Sequence, residues 1–153
     1  MEKYLPISKK IKENYQILTG VNMEQTLVLL KPDSVERKLI GKIIQRFENK
    51  NFNITNLKMI TMNRELAEKH YEEHRGRDYF DKIVSFMCSG RIVAMVIEGE
   101  GVIKSVRKMV GKTNPLEAEA GTIRGDYGYT TPANLIHSSD SEESAKREIN
   151  LFF

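Results

Sequence analysis

The sequence predicts an α+β fold: a ferredoxin-like βαββαβ sandwich, its four-stranded antiparallel sheet covered by helices on one face, with a long loop before the last strand. Three observations carry that expectation. Gln25 to Leu30 and Ile92 to Ile97 are continuous apolar runs with β-branched residues, the pattern of buried strands. Segments of helical period separate the strand-like ones. Lys112 to Ala133 holds two prolines, three glycines and two tyrosines with no period, and so long a loop inside a compact domain tends to be functional.

Residues 1–22 read as an N-terminal extension, with the working domain over 23–153. The extension carries Lys3, Lys9, Lys10 and Lys12 against Glu2 and Glu13, a net +2. Ile7, Ile11, Tyr15 and Leu18 recur at roughly helical spacing and Gly20 can end a helix, so the segment is a short helix or a flexible arm. The strand Gln25 to Leu30 is stopped by Pro32, and Lys31-Pro32-Asp33-Ser34 reads as a turn. Gly41 to Lys50 presents Ile43, Ile44 and Phe47 as the apolar face of a helix. Ile54 to Met62 is a half-buried strand with imperfect alternation. Arg64 to His74 and Tyr79 to Ser89 are helical, Ile92 to Ile97 is the third strand, and Gly101 to Val110 is a helix ended by Gly111. Leu135 and Ile136 form a short buried strand, with His137 at its lip beside a helix start. Ser139 or Asp140 is the expected cap, with Glu142 or Glu143 as its reciprocal partner. The last helix, Ser141 to Phe152, aligns Ala145, Ile149 and Phe152 on one face and pairs Glu142 with Lys146 and Glu143 with Arg147.

Composition narrows the function classes. A chain of 153 residues with 40% apolar content supports one domain with a core. The net charge is +3, of which only +1 lies outside the extension, so bulk charge gives no argument for nucleic acid. Cys88 is alone, which excludes an internal disulfide and suits a reducing cytoplasm; its helical run favours a buried thiol. No apolar run approaches the ~20 residues of a membrane helix.

Three motif fragments fail. Gly111-Lys112-Thr113 lacks the earlier glycine of a P-loop, where Val106 stands, and closes a helix instead of opening one. Gly99-Glu100-Gly101 has Lys104 where a dinucleotide fingerprint needs its third glycine. His70-Tyr71-Glu72-Glu73-His74 places two histidines one helical turn apart, but Tyr71 stands where the zinc-protease pattern has Glu, and no third ligand is evident; a solvated helix face is the expectation. The remaining polar outliers, Lys31, Tyr71, Arg107, Thr113, Arg124, Asn134 and His137, are the cations and hydrogen-bonding groups that a polyphosphate needs, although spacing alone does not make them converge.

Lys31-Pro32-Asp33 within Thr26 to Arg37, then Gly121-Thr122-Ile123-Arg124-Gly125-Asp126, then Asn134-x-x-His137-x-Ser139-Asp140-Ser141 resemble nucleoside diphosphate kinase, from about Glu24 to Phe153. The resemblance implies ping-pong transfer of a γ-phosphate from ATP or another nucleoside triphosphate to a diphosphate through His137, with broad base specificity. It gives Glu148 as the carboxylate on the other ring nitrogen and Ser139 as a hydroxyl beside the histidine. Arg107, Thr113 and Arg124 would hold phosphates, and Tyr71 and Lys31 would flank the transferred group. Lys31 would also reach the sugar, Asn134 the ribose 3′-hydroxyl, and Tyr79 would stack on the base. Mg²⁺ would ride on the nucleotide phosphates with no protein cage. A homo-hexamer or homo-tetramer is implied; Pro115, in the family's trimer-contact loop, favours the hexamer.

The chain departs from the family pattern at four places. Ser34 stands for Gly, Ser138 for Gly or Ala, Arg91 for Pro, and Thr131 for an apolar base contact. Two rival readings share the fold. An RNA-binding module would expose aromatics on its central strands, which are absent from the two apolar runs. A non-catalytic interaction protein would have no need of a nucleophile with its orienting acid.

Overall fold

The computed structural model describes residues 9–153, and of Lys9 and Lys12 the backbone only. Ile7, part of the expected apolar face of the extension, lies outside the described residues. Helix α1 (Lys9–Thr19) leaves Ile17 and Leu18 exposed and ends at Gly20, whose φ of 70° suits glycine.

The remaining elements are β1 (Met23–Leu30), α2 (Pro32–Glu36), α3 (Ile40–Asn49), β2 (Asn53–Thr61), α4 (Arg64–His70), α5 (Phe80–Met87), β3 (Arg91–Glu100), α6 (Val102–Val110), α7 (Ile123–Tyr127), β4 (Ile136–Ser138) and α8 (Glu142–Phe152). The four strands form one antiparallel sheet in the order β2-β3-β1-β4. This is the ferredoxin-like arrangement expected. The imperfect alternation of β2 has a cause: its register with β3 shifts between Ile54 and Asn56.

The helices cover both faces of the sheet, not one. Val28 and Leu30 of β1 and Val93, Met95 and Ile97 of β3 point to a core closed by Ile43 and Phe47 of α3 and Val106 of α6. Leu27, Leu29, Ile92 and Ala94 point the other way, against Ala67 of α4, Val84 and Met87 of α5 and Phe152 of α8. That is why the two central strands read as unbroken apolar runs: neither face meets water.

Other boundaries differ for local reasons. The Lys31 to Ser34 turn is the start of α2, with Pro32 at its first position, where a missing N–H costs nothing. The α4 helix stops at His70, and residues Glu72–His74 tighten into a 3-10 turn. The long loop contains a 3-10 turn at Pro115–Glu117 and the five-residue α7, whose N-cap Thr122 accepts from the Gly125 N–H. Cys88 is half-buried at the end of α5. The cap of α8 is Ser141, which accepts from the Ser144 N–H at 3.1 Å, not Ser139 or Asp140. Lys146 pairs with Glu142 at 3.0 Å as expected, whereas Arg147 reaches across to Glu73 at 3.4 Å.

Phe47 is fully buried in the core under α3. Phe47→Ala is expected to lower unfolding free energy by about 3–5 kcal/mol. Urea denaturation of both proteins checks it, and a loss below about 1 kcal/mol would mean that this core collapses around the void.

Candidate active site

The site is built where the ends of β1 and β4 lie side by side. The backbone N–H of Lys31 donates to Leu135 O at 2.8 Å, and the Ser34 hydroxyl donates to the same oxygen at 2.6 Å. The Leu135 N–H donates to Asp33 Oδ2 at 3.0 Å. These contacts hold Leu135 at φ 75°, a left-handed conformation that a branched side chain rarely adopts. Ser34, where the resemblance implies glycine, thus puts a hydroxyl to work.

A cleft of about 560 Å³ opens above this junction. Lys31, Tyr71, Tyr79, Arg107, Thr113, Arg124, Asn134, His137 and Glu148 all line it; Ser139 lies behind the lining. His137 is inside β4, not beyond it, paired with Leu29 of β1. Its Nε2 lies 2.9 Å from Glu148 Oε1, one face of α8 having brought the acid under the ring. The Ser139 hydroxyl donates to Glu148 Oε2 and accepts from the Leu27 N–H at 3.1 Å. Glu148 is therefore held on both oxygens, and Nδ1 of His137 has no hydrogen bond among the described residues.

Cations crowd the opposite wall. Arg124 is only 5% exposed; its guanidinium donates to the carbonyls of Asn134 at 3.2 Å, Gly111 at 3.2 Å and Ile136 at 2.6 Å. Burial, then the Arg107 charge, brings its pKa down to about 10. Lys31, 7% exposed, donates to Asn134 Oδ1 at 2.7 Å, while Asn134 Nδ2 donates to Thr113 O at 2.8 Å. Burial and the Arg124 charge lower the Lys31 pKa to about 8, against the opposing pull of Asp33. Arg107 donates to Ser138 O at 3.3 Å. Buried cations that raise one another's cost of charging suit an anionic ligand.

The aromatic side of the cleft holds Tyr71, Tyr79 and two histidines. The Tyr71 hydroxyl is buried without a partner among the described residues, and burial followed by the Glu148 charge raises its pKa. Tyr79 is 44% exposed, and its hydroxyl lies 2.8 Å from His74 Nδ1. His70 is not on a solvated face: it is 4% exposed and meets His137 edge-on with ring centroids 4.6 Å apart. The spacing Ala67, His70, Tyr71 holds the signal that was missed, since it puts His70 on the buried side of α4. Thr131, Lys82, Asp140 and Arg147 also line the cleft. Of these, only Thr131 was placed in the site from the sequence; Asp140 was named as a candidate cap and Arg147 as an ion-pair partner of Glu143.

The described residues hold no oxygen-rich cage of the kind Mg²⁺ prefers. Glu148 is committed to His137 and Ser139, and the deep wall is cationic. The donor set fits Mg²⁺ that arrives on a nucleotide.

Residues 24–153 match the sequence model of the family described as nucleoside diphosphate kinase. The chain belongs to that family. A nucleoside diphosphate kinase of Methanocaldococcus jannaschii is 64% identical over 130 residues, 85% of this chain and 93% of that protein. One of Methanococcus maripaludis is 60% identical over 131 residues, 86% and 98% of the two chains. The structure of a halophilic family member from Halobacterium salinarum in complex with CDP superposes with a TM-score of 0.83 at 46% identity, covering 85% of this chain and 87% of that one. The chain is thus an enzyme with nucleoside-diphosphate kinase activity.

The depressed Lys31 pKa sets a pH dependence. Below about pH 8 the unliganded protein carries a charged, desolvated Lys31, a destabilising contribution that is relieved as pH rises through 8 toward the ordinary 10.5. A bound phosphate favours the charged form. Nucleoside diphosphate binding at pH 8.5 is therefore expected to take up protons, and affinity to fall as pH rises above 8. Calorimetry in two buffers of different ionisation heat reads this; Lys31→Met should abolish the uptake.

Proposed function

We propose that this enzyme moves the γ-phosphoryl group of a nucleoside triphosphate to a nucleoside diphosphate in two displacements, through a phosphohistidine on His137. The observation that carries the reading is the Nε2–Glu148 hydrogen bond at 2.9 Å. With the proton on Nε2, Nδ1 keeps a lone pair. That lone pair attacks the γ-phosphorus, the Nδ1–P bond forms, and the bond to the bridging oxygen breaks, leaving the diphosphate with the electron pair. The phosphorylated ring is positive while Nε2 keeps its proton, and the Glu148 carboxylate offsets that charge. A second diphosphate reverses the step.

Arg107, Arg124 and Thr113 hold the phosphates in line and neutralise charge on the equatorial oxygens. Lys31 and Tyr71 flank the transferred group, their side chains buried before any ligand enters. Asn134 and Lys31, already hydrogen-bonded to each other, face the ribose. Tyr79 gives the base a half-exposed ring to stack on, and stacking accepts every base because each has a π-face. Mg²⁺ enters as part of the nucleotide substrate. Ser139 positions Glu148.

The working domain is residues 23–153, with 1–22 an extension. The lone half-buried Cys88 and the absence of a membrane-crossing helix among the described residues favour a cytoplasmic enzyme. Leu57 and Met59, exposed on the edge strand β2, favour a homo-oligomer, a hexamer or a tetramer.

Incubation with γ-labelled ATP and Mg²⁺, without acceptor, should give an acid-labile, base-stable adduct that GDP removes as GTP. His137→Ala should fold, take no label and lose several powers of ten in activity. Near-normal exchange in that variant sinks the nucleophile assignment, and a folded wild-type protein that takes no label returns the interaction-protein reading.

Tyr79→Ala should weaken binding of all nucleotides by about 1–3 kcal/mol. Equilibrium binding of four diphosphates tests it; loss confined to one base would contradict stacking.

A further inference from the structure

We propose that His70, His137 and Glu148 form an inhibitory binding site for a borderline divalent transition ion such as Zn²⁺. One ring nitrogen from each histidine and one Glu148 oxygen lie within 4.8 Å of one another. Two imidazoles and a carboxylate make a donor set that Zn²⁺ favours and that Mg²⁺, which seeks oxygen, does not.

The independent observation is the state of His70. It is 4% exposed, and neither ring nitrogen has a hydrogen-bond partner among the described residues. A buried imidazole left so is costly unless something else meets it. Its ring meets that of His137 edge-on with centroids 4.6 Å apart, so one of its nitrogens lies at the cluster. The i, i+4 histidine pair visible in the sequence is not the site, because His74 turns to Tyr79 at 2.8 Å. The other two ligands, absent from the local sequence, come from β4 and α8.

His137 Nε2 and Glu148 Oε1, 2.9 Å apart, present a ready two-point bite. Metal–ligand bonds of about 2.0–2.2 Å would bridge it, with His70 rotating inward as the third ligand and the remaining positions open to the cleft. The ion takes the place of the proton that Nε2 shares with Glu148. In the neutral ring that proton moves to Nδ1, where it occupies the lone pair that receives the phosphoryl group. Metal binding and phosphorylation therefore exclude each other: one needs Nε2 without its proton, and the other needs that proton retained. This consequence for turnover rests on His137 as nucleophile, whereas the binding site itself does not.

Calorimetry with Zn²⁺ on the full chain, free of nucleotide, tests the site. The wild type should bind one ion tightly. His70→Gln should weaken binding by about tenfold or more, and His74→Gln should leave it unchanged. The phosphorylated wild type, which needs no variant, should lose the site. Equal Zn²⁺ affinity in wild type and a folded His70→Gln, or in the free and phosphorylated enzyme, would overturn the proposal, as would the absence of tight binding. If the wild type takes no label, the phosphotransfer reading fails separately, and the His70→Gln comparison still decides the metal site.

Discussion

Leu135, held at φ 75°, is the constraint on which the site depends. Its carbonyl accepts two hydrogen bonds from the Lys31 to Ser34 corner and its N–H gives one back to Asp33. The left-handed turn sends Asn134 toward Lys31 and lets Ile136 and His137 enter the sheet beside β1. Arg124 grips the carbonyls on both sides of Leu135, those of Asn134 and Ile136. The Arg124 side chain, which lines the cleft, thus also braces the backbone that presents His137. Loosening the turn would move Asn134, Arg124 and His137 together.

The electrostatics follow from that packing. Three cations, Lys31, Arg107 and Arg124, are drawn into one wall, and two of them have lowered pKa values because burial and mutual repulsion disfavour charge. Each has a hydrogen bond to a carbonyl or amide oxygen, so each is directed before a phosphate arrives. Opposite them, Glu148 is fixed by His137 and Ser139. Both carboxylate oxygens of Glu148 are thus engaged, while the cations keep donors for a phosphate. Groups directed in advance are the preorganisation that phosphoryl transfer requires.

Much of the frame was legible because it follows from period and burial. The apolar runs of β1 and β3 are unbroken, and Gly111, with φ 88°, ends α6 where the sequence puts the stop. Those same runs should also have argued for two covered faces, since a strand open to water on one side alternates. The elements missed were five residues long: α2 and α7 are too short to show a helical period and are set by Pro32 and the Thr122 cap. The convergence of the site residues was not legible from spacing; the resemblance supplied it, and the contacts that join β1 and the Lys31 corner to β4 run between residues about a hundred positions apart. Ser139 looked like a cap because its helix begins nearby, but its hydroxyl meets Glu148 and Leu27 instead. His70 looked solvated because charged neighbours hide the buried side of α4.

Those distant contacts carry a consequence for the newly made chain. Leu27 joins Ser139 across 112 positions and Lys31 joins Asn134 across 103. Strands β1, β2 and β3 can pair, and most of the core under α3 and α6 can close, before any part of β4 exists. His137 comes with β4, and the Glu148 that meets it only with α8. Emergence from the ribosome therefore separates a chain that has become compact from one whose cleft is complete, and loop-closure entropy makes the junction a late event in folding. A nascent chain lacking α8 would have most of the domain's shape without the contact that holds the His137 ring.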